Sequence, residues 1–426
     1  MRRTRIVILG AGFAGLQAAQ SLAGVEAEVW LIDRQNYHTF VPLLYQVATA
    51  QLEPYHIAYP VRRLLRRAKN VNFCWAEILQ IEADRQVVVT DRGEFAYDFL
   101  VVATGSRAQF LGISGAAEYA FALKTLADAI ALRNQILTCF ERATQILDPQ
   151  ARQALLSFVI VGGGTTGVEV AGALNEWVKG ALRRDFPTLD AHSVQITLVH
   201  AGTRLFPEFP DALGDFAVRH LQRLGVTVML ETRVCGVSAD WVELEQGQIL
   251  PTATPIWAAG LAVAHPKLSL DVTVSSTGKL WVQSTLQLAD YDNIYALGDL
   301  AHVLHRGQPL AGVAPEALQQ GVTVAQNLKR QLRGVTPQPF RYFQKGRLAI
   351  IGGYSGVGRI AGVNLTGFLA WSLWLLVHLI YLPGYRNRLF VLLTWLQSYV
   401  RRDRSVGHIL RSASSTQTVT QPLKSP

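Results

Sequence analysis

The stretch "RIVILGAGFAGLQAAQSLA", residues 5–23, has the pattern of a strand, a tight turn and a helix. Its glycines, Gly10, Gly12 and Gly15, have the G-x-G-x-x-G spacing. The first glycine permits the turn, the second lets a pyrophosphate approach the backbone, and the third lets the helix pack closely on the strand. A helix that begins here points its positive end at the phosphates. The stretch therefore predicts a dinucleotide-binding α/β fold.

The next predicted strand, "EVWLID", ends at Asp33, whose carboxylate can bind ribose hydroxyls. The same pattern returns in "LLSFVIVGGGTTGVEVAGAL", where Gly162, Gly164 and Gly167 have the equivalent spacing. The strand after this second motif leads to His200 instead of an acid. Two nicotinamide sites would be odd chemistry, whereas hydride passes from a nicotinamide to a flavin when their rings stack. We therefore expect one site of each kind.

Two later segments indicate which motif binds the flavin. The segment "YDFLVVATGS" is a predicted strand that runs into a turn at Gly105, and "NIYALGDLAHV" is a predicted strand that leads to Asp299. Asp299 can accept a hydrogen bond from a ribitol hydroxyl, although a turn or capping role is the alternative. A helix is predicted over residues 315–332, with Pro315 suited to its first position. Because its positive end can point at a flavin pyrimidine ring, we assign the flavin to the first motif.

Composition limits the class of protein. The 426 residues are enough for two or three domains, and their 50% hydrophobic content makes disorder unlikely outside the polar end, residues 412–426. The net charge of +9 favours anionic partners without choosing among lipids, nucleotides and nucleic acid. Cys74, Cys139 and Cys235 lie far apart, so neither a disulfide framework nor a local zinc site is predicted. We expect a reducing compartment and no metal.

Taken together, the two glycine motifs and the two later segments resemble the two-dinucleotide-binding-domain flavoproteins, the glutathione-reductase-like superfamily. The resemblance implies an α/β fold with two Rossmann-like domains, in which the nicotinamide domain interrupts the FAD domain. We expect C-terminal apolar helices that anchor the chain to a membrane to follow them. The predicted boundaries are residues 1–112 for the first FAD segment, 113–272 for the NAD(P)H-binding domain, 273–335 for the second FAD segment, and 336–426 for a membrane-associating segment with a disordered end.

Longer segments resemble the type II NADH:quinone oxidoreductases, and the resemblance covers about residues 4–402. It implies that FAD is bound non-covalently, that NADH reduces it by hydride transfer, and that a membrane quinone reoxidises it at the other flavin face without proton pumping. The segments are "LIDRQNYHTFVPLLYQVATAQLEP", "VIVGGGTTGVEVAGAL", "YALGDLAHV", "YFQKGRLAIIGGYSGVGRI" and "GFLAWSLWLLVHLIYLPGYRNR".

The same resemblance assigns roles to individual residues. Glu169 matches the family's flavin-side glutamate, which can bind the nicotinamide amide or relay protons; the alternative is an acid favoured by the helix dipole. The quinone-side pattern Ala-Gln-x-x-x-Gln corresponds to Ala314, Pro315 and Gln319, so one polar contact to the quinone is missing here. For Gln319 the alternative is an ordinary amide on a helix surface. Lys345 matches a lysine near the quinone.

His200 is a second departure from the family pattern. Members specific for NADH carry a glutamate there, which repels the 2′-phosphate of NADPH. A histidine does not repel this phosphate, and Arg204 follows shortly after it. We therefore expect NADH to be a donor and NADPH to be used at least detectably.

Residues 360–385 contain no charged side chain, which favours contact with lipid. The run could just span about 30 Å of hydrocarbon as a helix, but cations flank it on both sides and prefer the same, cytoplasmic side. A second apolar run, residues 389–400, is too short to span, and Gly384 makes a turn between the two. We predict two helices lying in one leaflet on the cytoplasmic side, with a buried dimer interface or a single span as alternatives. The residues expected at the headgroup boundary are Trp371, Trp374, Tyr381 and Trp395.

The sequence also bears on other functions and partners. A homodimer is expected, whereas nucleic acid is not, because the basic segment 61–69 has no aromatic stacking platform. Sulfide:quinone reductases share the fold but need cysteines around the flavin that do not match these three. A dedicated reductase of a phylloquinone-type acceptor and a redox-sensing flavoprotein with little turnover stay open, and the rate of flavin reoxidation by quinones separates the sensor from the enzymes.

Overall fold

A computed structural model describes residues 3–264, 266–269, 272–401, 404 and 407–409 of the chain. The end that was expected to be disordered, residues 412–426, lies outside the described residues. The helices, in chain order, are α1 (Phe13–Ser21), α2 (Leu44–Ala48), α3 (Pro54–Ile57), α4 (Val61–Leu64), α5 (Ala116–Tyr119), α6 (Leu126–Ala143), α7 (Pro149–Leu155), α8 (Thr165–Trp177), α9 (Arg183–Asp185), α10 (Asp211–Leu224), α11 (Ala314–Gln331), α12 (Gly367–Tyr381) and α13 (Tyr385–Arg401).

The strands are short and are distributed over several sheets. In chain order they are β1 (Thr4–Leu9), β2 (Ala27–Asp33), β3 (Tyr37–Thr39), β4 (Ala58–Pro60), β5 (Val71–Trp75), β6 (Ile78–Glu82), β7 (Val87–Thr90), β8 (Gly93–Ala96), β9 (Phe99–Val102), β10 (Ser106–Ala108), β11 (Phe121–Ala122), β12 (Ser157–Val161), β13 (Gln195–Val199), β14 (Thr227–Met229), β15 (Val234–Val237), β16 (Trp241–Leu244), β17 (Ile249–Pro251), β18 (Thr254–Trp257), β19 (Leu261–Val263), β20 (Lys267–Ser269), β21 (Leu280–Trp281), β22 (Gln287–Leu288), β23 (Tyr291–Ala296), β24 (Ala301–His302), β25 (Leu304–His305), β26 (Gln308–Pro309), β27 (Arg347–Gly352), β28 (Ser355–Ile360) and β29 (Val363–Thr366).

The first large sheet has six strands in the order β22-β23-β9-β1-β2-β5. Strand β1 runs parallel to β2 and β9, and β9 runs parallel to β23. Ile6 lies opposite Phe99, and Leu100 lies opposite Ile294. The chain therefore returns to its first sheet after a long intervening segment, and the end of β23 lies at the same edge as the end of β1.

The intervening segment contains a second parallel sheet, in the order β11-β18-β12-β13-β14. In each sheet the strand that precedes a glycine motif lies beside the strand that follows the motif helix: β1 beside β2, and β12 beside β13. All residues of β12 are buried, as expected of a parallel strand covered on both faces. The predicted mixed α/β fold is confirmed. The exact boundaries between the segments stay a prediction.

Helix α11 packs directly against α1. A Cβ atom on Gly321 would lie 2.5 Å from the carbonyl oxygen of Ala14, so this contact requires a glycine. The helix predicted over residues 315–332 is observed at Ala314–Gln331. This part of α11 therefore lies against the helix of the first glycine motif, although the two are far apart in the sequence.

The C-terminal apolar segment forms two helices, α12 and α13, which are separated by a turn with Gly384 at a positive φ of 78°. The expectation that the tryptophans lie at a surface is wrong, because Trp371, Trp374 and Trp395 are only 9%, 1% and 3% exposed. Their rings belong to the same core as α2, α6 and α8. The physical reason is that the protein interior offers a hydrogen-bond acceptor: the Trp395 indole N–H donates to Gln46 Oε1 at 2.8 Å.

His378 on α12 also packs against this core. Its ring stacks on Trp374 with 3.7 Å between the ring centroids, and its Nδ1 lies 2.7 Å from the Trp374 carbonyl oxygen. Burial lowers the pKa of His378 to about 4, so the ring is neutral near pH 7. It acts as a packing residue.

The outward sides of α12 and α13 are apolar and exposed. Among the described residues, no helix combines the length and the apolarity required to cross a bilayer. Exposed apolar side chains on the two helices include Phe368, Leu369, Leu376, Ile380, Leu393 and Leu396.

Candidate functional site

The first glycine motif forms a tight connection between β1 and α1. Gly10 has a positive φ of 99°, and a Cβ atom there would lie 2.4 Å from the Ala103 carbonyl oxygen. A Cβ atom on Gly15 would lie 2.0 Å from the Gly10 carbonyl oxygen. A Cβ atom on Gly12 would meet nothing within 4 Å, so the backbone is open at this point. Two glycines are therefore needed for packing, and the third leaves space in front of the helix N-terminus.

The second motif repeats this geometry between β12 and α8. Gly162 has a φ of 118°, and its Cβ atom would lie 2.7 Å from the Ala258 carbonyl oxygen. A Cβ atom on Gly167 would lie 1.8 Å from the Gly162 carbonyl oxygen, whereas one on Gly164 would meet nothing within 4 Å. Each glycine thus has the same physical function as its counterpart in the first motif, and the helix N-terminus is again open to an anion.

Asp33, at the end of β2, is tied to the first motif. Its Oδ2 accepts the Ala11 N–H at 2.6 Å, and its Oδ1 accepts the Gln35 N–H at 2.7 Å. Burial raises the pKa of Asp33, and the two N–H donors oppose this shift. The imidazole of His38 lies on the other side of the motif, with Nδ1 2.9 Å from the Ala11 carbonyl oxygen. Sequence reasoning did not assign His38 a role at the motif.

His200 has the equivalent position in the second motif. The Gly163 N–H donates to His200 Nδ1 at 3.1 Å, so the ring must carry its proton on Nε2. Burial lowers the pKa of His200, and the ring is therefore neutral near pH 7. Arg204 is the cation that was expected to attract a phosphate. It forms an ion pair with Asp211 instead.

Asp299 follows β23 and lies beside the first motif. Gly298, which precedes it, has a φ of 75°, and a Cβ atom there would lie 3.4 Å from the Ala14 Cβ. The Asp299 Oδ2 accepts the hydroxyl of Ser106, the residue after Gly105, and lies 3.3 Å from the Lys124 Nζ.

Gln320 and Lys124 are two residues near Asp299 that the sequence did not single out. The Gln320 Oε1 accepts the Gly298 N–H at 2.7 Å, which fixes the turn before Asp299 from the buried side of α11. Gln320 looked like an ordinary helix amide, and Lys124 like a loop cation, because each meets its partner only through the tertiary fold.

Glu169 lies inside the protein, on α8. Its Oε1 accepts the Ile350 N–H at 3.4 Å, and the Trp374 indole also hydrogen-bonds to the carboxyl group. Burial raises the pKa of Glu169 well above the ordinary value for a glutamate. Helix α8 lies so close to β27 that a Cβ atom on Gly172 would be 1.8 Å from the Ile351 carbonyl oxygen. Burial therefore disfavours the charged form of Glu169, and β27 positions its carboxyl group.

Gln319 and Lys345 have partners within the protein. The Gln319 Nε2 donates to the Phe343 carbonyl oxygen at 3.0 Å, and its Oε1 accepts the Phe343 N–H at 2.9 Å. The Lys345 Nζ donates to the Tyr381 hydroxyl at 2.7 Å, which links the loop before β27 to the last residue of α12. The structure thus brings Gln319 and Lys345 to one loop, and β27 connects that loop to Glu169.

Comparisons with known proteins agree with this architecture. Residues 4–321 match the profile of the pyridine nucleotide-disulphide oxidoreductase family, and the chain belongs to that family. The chain is similar to an NDH2 from Plasmodium falciparum in complex with NADH, with a TM-score of 0.87 and 20% identity over 94% of this chain and 99% of that one. This likeness shows the fold.

Sequence relatives define the family more narrowly. A type II NADH:quinone oxidoreductase of Mycobacterium tuberculosis is 35% identical over 418 residues, which are 95% of this chain and 89% of the relative. A type II NADH:quinone oxidoreductase of Staphylococcus aureus is 32% identical over 375 residues, or 86% of this chain and 92% of the relative. The chain is a member of the type II NADH:quinone oxidoreductases.

Proposed function

We propose that this chain is an FAD-dependent NAD(P)H:quinone oxidoreductase that works at a membrane surface. The observation that carries the proposal is the pair of matching glycine motifs, one next to Asp299 and the N-terminus of α11 and the other next to Glu169. A bound flavin accepts two electrons from a nicotinamide and releases them to a quinone. The residues around the two motifs and the loop of Lys345 would bind and orient the reactants and supply protons for this exchange.

The first motif fits FAD. The open space at Gly12 admits a pyrophosphate to the N-terminus of α1, and Asp33 offers carboxylate oxygens to an adenosine ribose. Asp299, with Ser106 and Lys124 beside it, offers a carboxylate to ribitol hydroxyls. Ala314 begins α11, whose positive end would stabilise negative charge on the pyrimidine ring of a bound flavin.

The second motif fits NADH, with NADPH as a weaker donor. The open space at Gly164 admits the pyrophosphate to the N-terminus of α8. His200 presents a neutral ring instead of a carboxylate, so nothing at this position repels a 2′-phosphate. Burial raises the pKa of Glu169, which suits the carboxyl group to orient the carboxamide of the nicotinamide or to relay a proton to the acceptor.

The acceptor side is proposed at the loop that contains Phe343 and Lys345. Gln319 fixes the backbone of this loop through both ends of its amide, and Pro315 supplies no polar group to a quinone carbonyl. Lys345 can donate to a carbonyl, and its present partner Tyr381 lies at the end of the exposed apolar helix α12. A quinone arriving along α12 would therefore reach Lys345 first.

Contact with lipid is proposed for the outward sides of α12 and α13. Exposed apolar side chains such as Leu376, Leu393 and Leu396 occur on the same two helices as the cations Arg386 and Arg388, a combination that suits a bilayer with anionic headgroups. We propose that these helices lie on the cytoplasmic leaflet, since cations flank the apolar run on both sides. A homodimer remains part of the proposal.

Stopped-flow absorbance tests the electron transfer. The flavin band of the purified chain should bleach on mixing with NADH, and with NADPH more slowly, and should recover on addition of quinones. Recovery with a range of quinones supports the proposed enzyme. A chain without flavin, or a flavin that is reduced but that no quinone reoxidises, would contradict it, and the second result would favour a redox sensor.

Vesicle sedimentation tests the lipid contact. A triple variant Leu376→Gln, Leu393→Gln, Leu396→Gln should lose binding to phosphatidylglycerol vesicles and activity with long-tailed quinones, while activity with short, water-soluble quinones persists.

The matched control changes three exposed leucines elsewhere to glutamine and should sediment like the wild-type chain. Wild-type vesicle binding by the α12–α13 variant would contradict the proposed lipid surface. If that variant instead shifts from dimer to monomer in light scattering, the apolar face is a subunit interface. The control residues are Leu79, Leu147 and Leu261.

A further inference from the structure

The first turn of α11 contains a buried acid that the proposed reaction does not use. Glu316 is 1% exposed and follows Pro315. Its Oε2 accepts the N–H groups of Gly312 and Val313, at 2.8 and 3.2 Å. These bonds hold the carboxylate at the positive end of the helix.

Arg347, the first residue of β27, is the charged partner of Glu316. The Arg347 Nη2 lies 3.8 Å from the Glu316 Oε1, which accepts no hydrogen bond from any residue that the structure describes. The Arg347 side chain is 26% exposed, in contrast to the enclosed carboxylate. The pair is therefore asymmetric, with one charge inside the protein and the other reaching water.

Each member of the pair is linked to one of the two proposed cofactor sites. A Cβ atom on Gly312, whose N–H bonds to Glu316, would lie 3.5 Å from the Asp299 Oδ1. The Arg347 Nη1 also donates to the Glu208 carbonyl oxygen at 3.4 Å, and the Glu208 carboxylate accepts the hydroxyl of Thr165, the first residue of α8, at 2.5 Å. One side of the pair thus borders the proposed ribitol contact, and the other borders the proposed nicotinamide site.

The charges of this pair act on the same place as the α11 dipole. The N-terminus of a helix carries roughly half a positive charge, which stabilises the negative charge that reduction places on a flavin. A carboxylate at this end opposes that stabilisation. Its field is weakly screened because Glu316 is enclosed, whereas water and salt screen Arg347 more.

We infer that Glu316 and Arg347 set the reduction potential of the bound flavin, Glu316 lowering it and Arg347 raising it. The inference rests on the proposed function, because it requires the flavin ring at the N-terminus of α11. The stronger influence belongs to Glu316, since its charge is the less screened of the two. The pair therefore makes the flavin a stronger reductant of the acceptor than the helix alone would allow.

Spectroelectrochemical titration of the flavin-loaded full-length chain tests the inference. Glu316→Gln keeps an oxygen that can accept the Gly312 N–H, and it should raise the equilibrium constant for flavin reduction about tenfold, or about 30 mV for a two-electron couple. Arg347→Gln should lower the same constant by about threefold. The double variant should lie between the single variants.

Arg359→Gln is the matched control. Arg359 lies opposite Arg347 in the β27–β28 register and is exposed, so the substitution removes one positive charge from the same sheet at a site where water and salt screen it. Its potential should equal that of the wild-type chain. A shift as large as that of Arg347→Gln would mean that net charge alone is responsible, and the inference would fail.

Opposite signs distinguish charge tuning from a structural role. If the pair only held the helix cap, both single variants would lower flavin retention and thermal stability, and their potentials would move together or stay unchanged; either pattern overturns the inference. Should Glu316→Gln release the flavin, Arg347→Gln decides by itself, and an unchanged potential sinks the idea. Failure of the proposed function looks different, since the wild-type chain would then bind no flavin or resist reduction by NADH.

Discussion

In both glycine motifs, the N–H group of the residue after the first glycine donates a hydrogen bond to a side chain at the end of the neighbouring strand. In the first motif Ala11 donates to the Asp33 carboxylate, and in the second Gly163 donates to the His200 ring. The backbones solve the same packing problem, but one motif offers an anion and the other a neutral ring. We therefore expect the backbone to determine that a dinucleotide fits, and this one side chain to determine which ribose substituents are accepted.

The largest expected effect comes from filling the open space in each motif. Gly12 and Gly164 have φ values of −69° and −76°, so alanine suits both positions, and its methyl group would occupy the proposed pyrophosphate space. We expect Gly12→Ala to weaken FAD binding about 100-fold, a cost of about 2.7 kcal/mol. Gly164→Ala should keep its flavin and raise the KM for NADH by a similar factor.

The measurements are the flavin-to-protein absorbance ratio and NADH-dependent bleaching, with thermal unfolding as the control for folding. Loss of flavin in Gly164→Ala together with a normal flavin content in Gly12→Ala would show that the two motifs have been assigned the wrong way round.

Replacing the neutral ring of His200 in the second motif by a carboxylate, the group that the first motif has, should have the next largest effect. His200→Glu restores a carboxylate near the 2′-position and should increase the NADH-over-NADPH preference in kcat/KM by at least about tenfold, or 1.4 kcal/mol. His200→Gln, which stays neutral, is the control. In the wild-type chain, an NADH preference above about a thousandfold, near 4 kcal/mol, would contradict the predicted tolerance of NADPH.

Lowering the pH should change the NADPH/NADH ratio of kcat/KM through protonation of His200. Burial lowers the pKa of His200 below its ordinary 6.5, so the ring is neutral at pH 7 and gains a proton only as the pH falls below that value. The charged ring attracts a 2′-phosphate, and the NADPH/NADH ratio of kcat/KM should rise about two- to fivefold between pH 7 and 5.5. His200→Gln shares the titration of the phosphate itself, and an equal rise in that variant would exclude His200 as the cause.

The smallest expected effect concerns Arg204. Because this side chain already forms an ion pair with Asp211, Arg204→Ala should change kcat/KM for NADPH by less than about twofold. Steady-state kinetics with both donors measure it. A selective loss of NADPH activity beyond tenfold would show that Arg204 leaves Asp211 to bind the phosphate.

Much of the site followed from local patterns. The glycine spacing predicts turns with positive φ at Gly10 and Gly162. Asp33, His200 and Asp299 were identified because each lies at or shortly after the end of a predicted strand. Such signals are short-range, since a strand, a tight turn and a helix N-terminus are encoded within a few neighbouring residues. The helix at Ala314–Gln331 was predicted for the same reason.

Contacts between distant segments could not be predicted. Gln320 and Lys124 meet Gly298 and Asp299 only after α11 and the second sheet are in place. The tryptophans of α12 and α13 were expected at a lipid boundary because indole prefers such places, but Trp374 was instead buried. The residue type determines which environments a side chain tolerates, and the fold determines which of these environments it occupies.

The sequence by itself determined that the chain has two dinucleotide-type glycine motifs, because each motif depends on steric limits within one short segment. Only the tertiary structure decided that Glu169 is enclosed, which raises its pKa, and that Lys345 reaches the end of α12. It also decided that Glu316 opposes the positive end of its own helix next to Arg347. These properties depend on desolvation and on distances across the fold, and neither is a function of the neighbours along the chain.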